Sequence, residues 1–376
     1  MKSDYIVIGA GVAGLSLAWT LRQRGKSVIV LERGQIARGA SVRNFGMVWP
    51  VGHPLGEVRE LALRSREIWL NVASQAEIWH RTCGSMTLAY EDLEWQVIHE
   101  FLDQANRDES VGRLIGPDEV IRRNPHVKSD RLIGALYSAT EVCVDPRSTV
   151  HKLADWLQSQ GLPIHFGVNI GLVESGRATA TDGTTWEADH IIVCSTIDAH
   201  RLIPSAQGLD QLRRCDLHML RLFPNSADVP RLDTHLCAGL TLGHYANFKD
   251  CPSLPQLKAF HAEKWPSQAE FGIHVLVSQH ADGSLTVGDS HHYGDDLPPY
   301  MDAKVDDAIL AALNEFLDVS DYSVGERWIG TYSTSPGKFY SWMPVSEGVH
   351  ALSLFGTGMT LSFGVAERVA NEICPA

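Results

Sequence analysis

The sequence predicts an α/β protein of two domains, one built on a parallel sheet and the other on an antiparallel sheet. The chain has 376 residues, more than one small core usually holds. Residues 4–34 contain two continuous apolar runs separated by a glycine turn and a helical segment, as expected of parallel strands buried on both faces. Strand-like segments dominate residues 217–331, which favours an antiparallel sheet.

The N-terminal unit is predicted as a strand over 4–9, a helix over 13–24 and a second strand over 27–32. A loop rich in Gly, Pro and Asn covers 41–54 and precedes an amphipathic helix over about 56–79. Because long loops inside a compact domain are often functional, we expect this one to serve the site.

The other elements divide between the two domains. Residues 85–140 are predicted as an inserted lobe, and the chain returns with a helix that starts at Asp145-Pro146. A strand over 349–355, a glycine turn and a helix over about 362–373 close the chain. The first domain is predicted to comprise residues 1–84, 145–200 and 325–376, and the second 85–144 and 201–324.

Composition and charge exclude several classes of protein. A content of 44% hydrophobic and 20% charged residues is ordinary for a globular chain. The net charge of −13 argues against nucleic acid, whose binding needs a basic face. No segment approaches the roughly 18 uninterrupted apolar residues of a membrane helix. We therefore expect no nucleic-acid or membrane partner and a cytoplasmic location, while the oligomeric state stays open.

The seven cysteines are odd in number and form no C-x-x-C pair. Neither a disulfide framework nor a zinc site is indicated by this pattern, and a reducing compartment fits it. No metal site is predicted.

A dinucleotide-binding fingerprint lies between the first predicted strand and helix. Gly9 permits a tight turn, Gly11 allows a pyrophosphate to approach the helix N-terminus, and Gly14 permits close helix packing. Glu32, at the end of the second strand, can accept a hydrogen bond from a ribose hydroxyl and disfavours NADP. FAD and NAD present the same ADP half, so the fingerprint alone leaves both open.

Five segments, in order, resemble those of the D-amino-acid oxidase-like flavoproteins, which include glycine oxidase and sarcosine oxidase. They are the fingerprint, the loop Ala40–Met47, the helix start Val144–Pro146, the strand Asp189–Ser195 and the turn Gly356–Thr360. This resemblance implies a Rossmann-type FAD-binding domain and an α+β substrate domain. The run Ser41–Pro50 also resembles a subgroup linked to aminophosphonate breakdown.

The resemblance further implies which residues hold the flavin. Ser41 would bond a phosphate, and Arg43, Asn44 and Gly46 would border the isoalloxazine. The Gly356–Thr360 turn would aim a helix N-terminus at the flavin edge that becomes negative on reduction. The predicted cofactor-binding residues are Gly9, Gly11, Val12, Ala13, Gly14, Glu32, Arg33, Ala40, Ser41, Arg43, Asn44, Gly46, Met47, Val168, Ser195, Gly330, Phe355, Gly356, Gly358, Met359 and Thr360.

Two departures from the sarcosine oxidases concern the flavin. Those enzymes attach it to a cysteine in a segment that resembles 327–336, which contains no cysteine here, so non-covalent FAD is expected. They also place a lysine near flavin N5 for oxygen activation, where this chain has Thr286. The electron acceptor, O₂ or another oxidant, is therefore left open.

Substrate contacts are predicted among polar side chains of the antiparallel lobe. Arg43, Lys249 and Lys338 could bind an anion, arginine through its bidentate fork. The predicted catalytic residues are Arg43, Asn44, His53, Thr286 and Met359. The predicted substrate-binding residues are Tyr245, Lys249, His274, Tyr332, Lys338 and Trp342, with Gln279, His291 and His292 as further candidates.

Three functions compete at this stage. The favoured one is FAD-dependent oxidation of a primary or secondary amine, with hydride transfer to flavin N5 and hydrolysis of the imine. Its substrate is an aminoalkylphosphonate, such as 2-aminoethylphosphonate or its N-methyl form giving phosphonoacetaldehyde, or alternatively glycine, sarcosine or a D-amino acid. An NAD-dependent dehydrogenase would need a second nucleotide-domain pattern, and a non-catalytic flavin-binding or tRNA-associated protein conflicts with the acidic charge.

Overall fold

The computed structural model describes residues 2–195, 199–203 and 212–375. The strands within them are β1 (Ser3–Ile8), β2 (Val28–Glu32), β3 (Met47–Val48), β4 (His80–Thr82), β5 (Ser85–Ala89), β6 (Arg113–Ile115), β7 (Gly134–Ser138), β8 (Val142–Val144), β9 (Ile164–Phe166), β10 (Ile170–Glu174), β11 (Arg177–Ala180), β12 (Thr185–Val193), β13 (Arg213–Pro224), β14 (His235–Cys237), β15 (Leu276–Gln279), β16 (Leu285–Gly288), β17 (His292–Gly294), β18 (Tyr322–Thr334), β19 (Tyr340–Ser346) and β20 (Val349–Leu354).

The α-helices are α1 (Val12–Gln23), α2 (Glu57–Gln75), α3 (Asp92–Gln104), α4 (Pro117–Arg123), α5 (Pro146–Ser159), α6 (Ala199–Leu202), α7 (Leu254–Lys264), α8 (Pro266–Glu270), α9 (Ala303–Phe316) and α10 (Gly358–Ile373). In the described part of the chain, no helix combines the length and the apolar composition that crossing a bilayer requires.

The first large sheet has a parallel centre in the order β9-β2-β1-β12-β20. Strand β19 adds to it antiparallel, and the hairpin β10–β11 extends the start of β12. Consecutive residues of β1 enter different clusters: Tyr5 and Val7 pack toward the helices, and Ile6 and Ile8 toward the opposite face. Burial on both faces explains the continuous apolar run that predicted this strand.

Helix α10 packs against α1 and α2 and so brings the two ends of the chain together. Phe363 contacts the edges of Trp69 and Trp19, with ring centroids 4.9 and 5.5 Å away. A Cβ added at Gly364 would lie 2.4 Å from the carbonyl oxygen of Leu61, so this glycine permits the close approach of α10 to α2. The starts of α1 and α10 consequently lie on the same side of the sheet.

The second large sheet runs in the order β17-β13-β16-β15-β14-β5-β7-β6, with β18 paired along the length of β13. All of its pairs are antiparallel except β5 with β14. Helix α9 covers one face through Ile309, Leu313 and Phe316. The predicted α/β fold with an antiparallel second sheet is confirmed.

Helix α7 is an element that the sequence analysis does not predict. Its buried positions are Leu254, Leu257 and His261, and the third of these is polar. His261 can be buried because its Nε2 atom lies 3.0 Å from Glu94 Oε1 on α3. Hydrophobic periodicity does not predict a helix whose buried positions include a polar residue paired with a residue distant in the chain.

A small antiparallel sheet, β3-β8-β4, joins the loop over 41–54 to the rest of the molecule. Strand β8 belongs to the segment predicted for the second domain, and β3 and β4 belong to segments predicted for the first. The domain boundaries themselves stay a prediction.

Candidate active site

The turn between β1 and α1 is built from glycines that no larger residue could replace. Gly9 has a φ of +109°, in the region that favours glycine. A Cβ added at Gly14 would lie 2.0 Å from the carbonyl oxygen of Gly9, so the first turn of α1 packs directly on the loop. The backbone amides at the start of α1 are thereby held at a positive helix end that suits an anion.

Glu32 ties this turn to the end of β2. Its Oε2 atom accepts a hydrogen bond of 2.8 Å from the Ala10 amide, and its Oε1 atom accepts one of 2.8 Å from the Gly34 amide. The Val168 amide donates to the Glu32 carbonyl at 2.9 Å. The carboxylate is thus fixed between two backbone amides, at the place where a ribose hydroxyl is expected.

The hydroxyl of Ser41 lies over the start of α1. It accepts a hydrogen bond of 3.0 Å from the Val12 amide, and a Cβ added at Gly11 would lie 3.0 Å from it. The hydroxyl of Ser195, beyond β12, is buried without a hydrogen-bond partner among the described residues. The N-terminus of α1, the flanking hydroxyls and the absence of a side chain at Gly11 fit the pyrophosphate half of FAD.

The loop that follows is held by Asn44. Its Nδ2 atom donates to the carbonyls of Ala40 and Ser41 at 2.9 and 3.0 Å, and its Oδ1 atom accepts from the Gly46 amide at 2.8 Å. Gly46 has a φ of +72°, and an added Cβ would meet the Val144 carbonyl at 2.0 Å. The amide of Asn44 is therefore used within the loop, which positions Arg43 and Met47.

The C-terminal turn forms the opposite wall of the site. Helix α10 begins at Gly358, earlier than the predicted start near Ser362, because the glycine turn itself provides the first helical turn. Thr360 Oγ1 accepts a hydrogen bond of 2.9 Å from the Trp49 amide. Gly356 has a φ of +70°, and an added Cβ would lie 3.0 Å from the ring of Tyr332. The N-terminus of α10 is thereby aimed into the space between the sheets.

A cavity of about 410 Å³ occupies that space. It brings together residues predicted from widely separated parts of the chain. The predicted residues that line it are Val12, Ala13, Ala40, Ser41, Arg43, Asn44, Met47, His53, Tyr245, His274, Gly330, Tyr332, Lys338, Phe355, Gly356, Gly358, Met359 and Thr360. Their contacts with FAD or substrate stay a prediction.

The lysine and arginine side chains that line the cavity belong to Arg43 and Lys338, and both residues are exposed. Arg43 Nη1 donates to the Ile329 carbonyl at 3.3 Å. Trp328 Nε1 donates to the Arg43 carbonyl at 3.1 Å, which anchors the loop to β18. Two positive charges therefore stand at the cavity wall, as an anionic substrate group requires.

His53 is buried at the cavity with a neutral ring. Its Nδ1 atom bonds the Trp49 carbonyl at 3.0 Å, and its Nε2 atom has no partner among the described residues. Burial lowers the pKa of His53 to about 4. The ring therefore offers the cavity an uncharged nitrogen at neutral pH.

The polar centre of the cavity is Asp289, which the sequence analysis does not single out. It follows β16 and is only 4% exposed. Its Oδ1 atom lies 3.2 Å from His274 Nε2 and 4.0 Å from His291 Nδ1, although neither contact is aligned as a hydrogen bond. Burial raises the pKa of Asp289 well above its usual range. A buried carboxyl facing a cavity is a marker of function.

His244 is a second residue that the sequence analysis omits. Its ring stacks on His274, with centroids 3.9 Å apart, and lies 4.4 Å from the ring of His291. The three imidazoles and Asp289 come from a 3₁₀ turn, the residues before β15 and the residues after β16. Long-range strand pairing is the only feature that unites them, so no local motif could reveal the group.

Several predicted positions of the nucleotide half do not line the cavity. Gly9, Gly11, Gly14 and Glu32 form the turn described above, Val168 and Ser195 lie beside it, and Gly46 supports the loop. Arg33 is exposed next to Glu32. These placements are compatible with the predicted binding of the ADP half, which lies outside the cavity.

Three residues predicted to act in catalysis or substrate binding do not line this cavity. Thr286 is buried within β16 and its hydroxyl bonds His280 Nε2 at 2.7 Å, because strand alternation turns it away from the cavity. Lys249 is exposed and does not line the cavity. Trp342 lies on β19, where it stacks on His350 with centroids 4.7 Å apart and donates to Glu372 at 2.9 Å.

Two further candidates also have structural roles outside the cavity. Gln279 is buried and bonds the Leu232 amide and the Gly283 carbonyl at 2.8 and 3.1 Å. His292, adjacent to His291, contacts His218 with ring centroids 5.7 Å apart. Alternation along the strand places the side chain of His291, but not that of His292, in the cavity.

The geometry defines a flavin-type nucleotide site joined to a separate substrate cavity, and comparison with known proteins gives the family. The chain matches the family described as DAO, FAD dependent oxidoreductase, over residues 4–372. It therefore belongs to this family of FAD-dependent oxidoreductases, and FAD is its cofactor.

Individual relatives agree with this assignment. The tRNA 5-methylaminomethyl-2-thiouridine biosynthesis bifunctional protein MnmC of Chromohalobacter salexigens is 28% identical over 253 residues, 62% of this chain. The chain spans only 34% of that protein. Glycine oxidase from Geobacillus kaustophilus has a TM-score of 0.76 at 18% identity, with 98% of this chain and 94% of that chain covered. Iminodiacetate oxidase from Chelativorans sp. BNC1 has a TM-score of 0.76 at 16% identity, with 98% and 95% covered. The two structural matches show the fold.

Proposed function

We propose that the protein oxidises a small amine that carries an anionic group, with an aminoalkylphosphonate as substrate. The observation that carries the proposal is the cavity, where Arg43 and Lys338 supply positive charge and the buried group around Asp289 supplies polar contacts. The resemblance of Ser41–Pro50 to the aminophosphonate-linked subgroup selects the phosphonate. Relatives named for glycine and iminodiacetate oxidation support an amine as the electron donor.

With N-methyl-2-aminoethylphosphonate as substrate, bound FAD would supply the acceptor for a hydride from the methylene carbon beside the nitrogen, and water would hydrolyse the resulting imine to phosphonoacetaldehyde and methylamine. The unmethylated substrate would give the same aldehyde and ammonia. O₂ or another acceptor would take up the two electrons.

The chain contributes binding and charge placement to this reaction. A phosphonate in a partly desolvated cavity needs a paired cation, which Lys338 or Arg43 provides. The N-terminus of α10 directs its amide dipoles toward the edge where negative charge develops. His53 and the tyrosines shape the rest of the wall without adding net charge.

The main alternative is an oxidase or dehydrogenase of glycine, sarcosine or a D-amino acid. A carboxylate carries one charge and is planar, so a bidentate contact from Arg43 alone would suit it. A non-catalytic flavoprotein is the alternative of another class, and it would hold FAD without being reduced by any amine.

Anaerobic bleaching of the flavin decides among these functions. The panel pairs 2-aminoethylphosphonate and its N-methyl form with their carboxylate analogues, β-alanine and N-methyl-β-alanine, and adds glycine, sarcosine and D-amino acids. We expect the phosphonates to have the highest kcat/KM. A preference for glycine or sarcosine contradicts the phosphonate assignment, and no bleaching with any amine contradicts amine oxidation. Acid precipitation of the same preparation should leave the FAD in the supernatant.

Replacement of the cations locates the anionic group. Lys338→Ala or Arg43→Ala is expected to raise KM by at least about tenfold, since a charge-assisted pair contributes on the order of 1.5–3 kcal/mol. Lys249→Ala removes an equally exposed lysine outside the cavity and should leave KM unchanged. Equal effects of the three substitutions would point to long-range charge and not to a binding contact.

A further inference from the structure

The strongest unexplained feature of the cavity is a buried carboxyl whose Oδ1 atom has no hydrogen-bonded partner within residues 2–195, 199–203 and 212–375. Asp289 and His274 lie opposite each other, with the Asp289 amide donating to the His274 carbonyl at 2.9 Å and the His274 amide to the Asp289 carbonyl at 3.3 Å. This pairing presents the two side chains together. Because an unsatisfied buried carboxylate is costly, such a group indicates a ligand that satisfies it.

The surroundings of Asp289 suit a cation. The imidazoles of His274 and His291 are held neutral, because burial lowers their pKa values, that of His291 to about 4. The hydroxyls of Tyr245 and Tyr332 stay protonated, because burial raises their pKa values. Cys215, paired with Tyr332 across two strands, is also held as a thiol, since burial raises its pKa to about 12. Asp289 is therefore the acidic group of this cluster, and its charge is negative when it is ionised.

We propose that Asp289 binds the ammonium group of the substrate and takes the proton that the amine must lose before hydride can leave. The inference rests on amine oxidation as the proposed function. An N–H bond of the ammonium breaks and an O–H bond forms on the Asp289 carboxylate, so the nitrogen lone pair is released. That lone pair then forms the C=N bond as hydride leaves the adjacent carbon. The proton on Asp289 returns to water after product release.

His274 is the positioning residue for this step. Its Nε2 atom lies 3.2 Å from Asp289 Oδ1, and its Nδ1 atom has no hydrogen-bond partner among the described residues. His291 is oriented in turn by the Gly272 carbonyl, 3.0 Å from its Nδ1 atom. The imidazole of His274 thus lies beside the carboxylate at the cavity wall.

His53 is the rival acceptor, since it also faces the cavity with an unpartnered nitrogen. A proton acceptor works best when its pKa is near the operating pH. Burial lowers the pKa of His53 to about 4, while it raises the pKa of Asp289 well above its usual range. Burial therefore weakens the imidazole as a base and strengthens the carboxylate.

A metal ion is the rival occupant, because one ligand atom from each of the three histidines lies within 4.8 Å of the others. A tetrahedral zinc with bonds of about 2.0–2.1 Å would need nitrogens about 3.3 Å apart. The rings of His244 and His274 are stacked with only 29° between their planes. Their in-plane lone pairs therefore do not converge on one point, and the stacked arrangement favours proton acceptance.

The test is the pH dependence of anaerobic flavin reduction by the best amine of the panel. In the wild type, the second-order rate constant should rise with pH through a limb well below the amine pKa, because Asp289 accepts a proton only when it is ionised. Asp289→Asn should lower the constant by about 10²–10³-fold at pH 7, as expected for loss of a general base. The rate constant of the variant should approach that of the wild type near pH 10, where the amine itself loses its proton.

Asp306→Asn is the matched control. Asp306 is also a buried carboxyl beside a histidine, but it is hydrogen-bonded to His218 Nδ1 and Arg327 Nε, both at 3.0 Å, and does not line the cavity. Its substitution should leave the rate per bound flavin and the pH limb unchanged. His274→Asn should keep the rising limb of the pH–rate profile but shift its midpoint. A purely structural role of His274 would leave the midpoint unchanged.

Each outcome has a separate meaning. If the wild type is reduced by amines and Asp289→Asn keeps the same limb, the inference is wrong while the proposed function stands. If no amine reduces the wild type, the proposed function fails first. If Asp289→Asn does not hold FAD, Asp289→Glu is measured instead, and an unchanged limb midpoint overturns the inference. Loss of reduction on chelation, restored by zinc, would establish a metal site in its place.

Discussion

The nucleotide half and the substrate half of the active site are built in different ways. The nucleotide half uses the turn Gly9–Gly14 with Glu32, and the side-chain hydrogen bonds of Glu32 and Ser41 there join residues at most 29 positions apart. The substrate half gathers residues from the loop near His53, the 3₁₀ turn at Tyr245, the ends of β15 and β16, and β18. The nucleotide half therefore depends on local backbone geometry, and the substrate half depends on sheet register.

We expect the largest effect from a substitution that disrupts the nucleotide-binding turn Gly9–Gly14. Gly14→Ala places a Cβ 2.0 Å from a backbone oxygen that cannot move without the turn. We expect destabilisation of about 3 kcal/mol and little or no bound FAD, measured by thermal unfolding and by the flavin absorbance of the purified protein. Gly39→Ala is the control, since an added Cβ there meets nothing within 4 Å. A normally loaded Gly14→Ala protein would contradict the importance of this close approach.

The start of α10 lies at the junction of the two halves. Proline is tolerated at the first helical position, so Gly358→Pro removes one amide donor while leaving α10 intact. We expect flavin reduction to slow by roughly tenfold to a hundredfold, because the lost donor acts on charge that develops during transfer. FAD binding should change much less. Gly358→Ala keeps the amide and should behave as the wild type; a parallel loss of binding and rate in the proline variant would argue against the proposed role.

A substitution of Glu32 tests the nucleotide half separately from the substrate half. Glu32→Gln retains the shape, but its amide oxygen can accept only one of the two backbone hydrogen bonds, and its NH₂ group faces the other backbone amide. We expect the dissociation constant of FAD to rise about tenfold, with little change in the reduction rate of the loaded enzyme. Glu109→Gln alters an exposed carboxylate and serves as the control. A lower reduction rate with unchanged FAD affinity would contradict the assignment of Glu32 to the nucleotide half.

The smallest effect is expected at Trp342, which the sequence assigns to the substrate half and the structure places on β19. Trp342→Phe removes one exposed hydrogen bond to Glu372, which contributes about 0.5–1 kcal/mol. Melting temperature should fall slightly, and KM for the amine should stay within about twofold of the wild type. A large KM change would restore Trp342 to the substrate site.

The sequence by itself determined the local features. Continuous apolar strands, the Gly9–Gly14 spacing, Glu32 and the glycine turn before α10 are written in consecutive residues, because a parallel strand and a helix N-terminus each impose their own local pattern. The antiparallel sheet was also predictable from its strand-like segments. Family resemblance then identified FAD.

The tertiary structure alone decided the substrate side. Thr286 and His292 were expected at the site, yet strand alternation turns them away, while His244 and Asp289 enter it without any motif. The role proposed for Asp289 depends on β15 and β16, which bring it beside His274, and on burial, which raises its pKa. Register and burial depend on contacts among residues that are distant in the chain. A shift of strand register by one residue turns a side chain to the other face of the sheet. For this reason the residues that meet the substrate follow from packing and not from spacing.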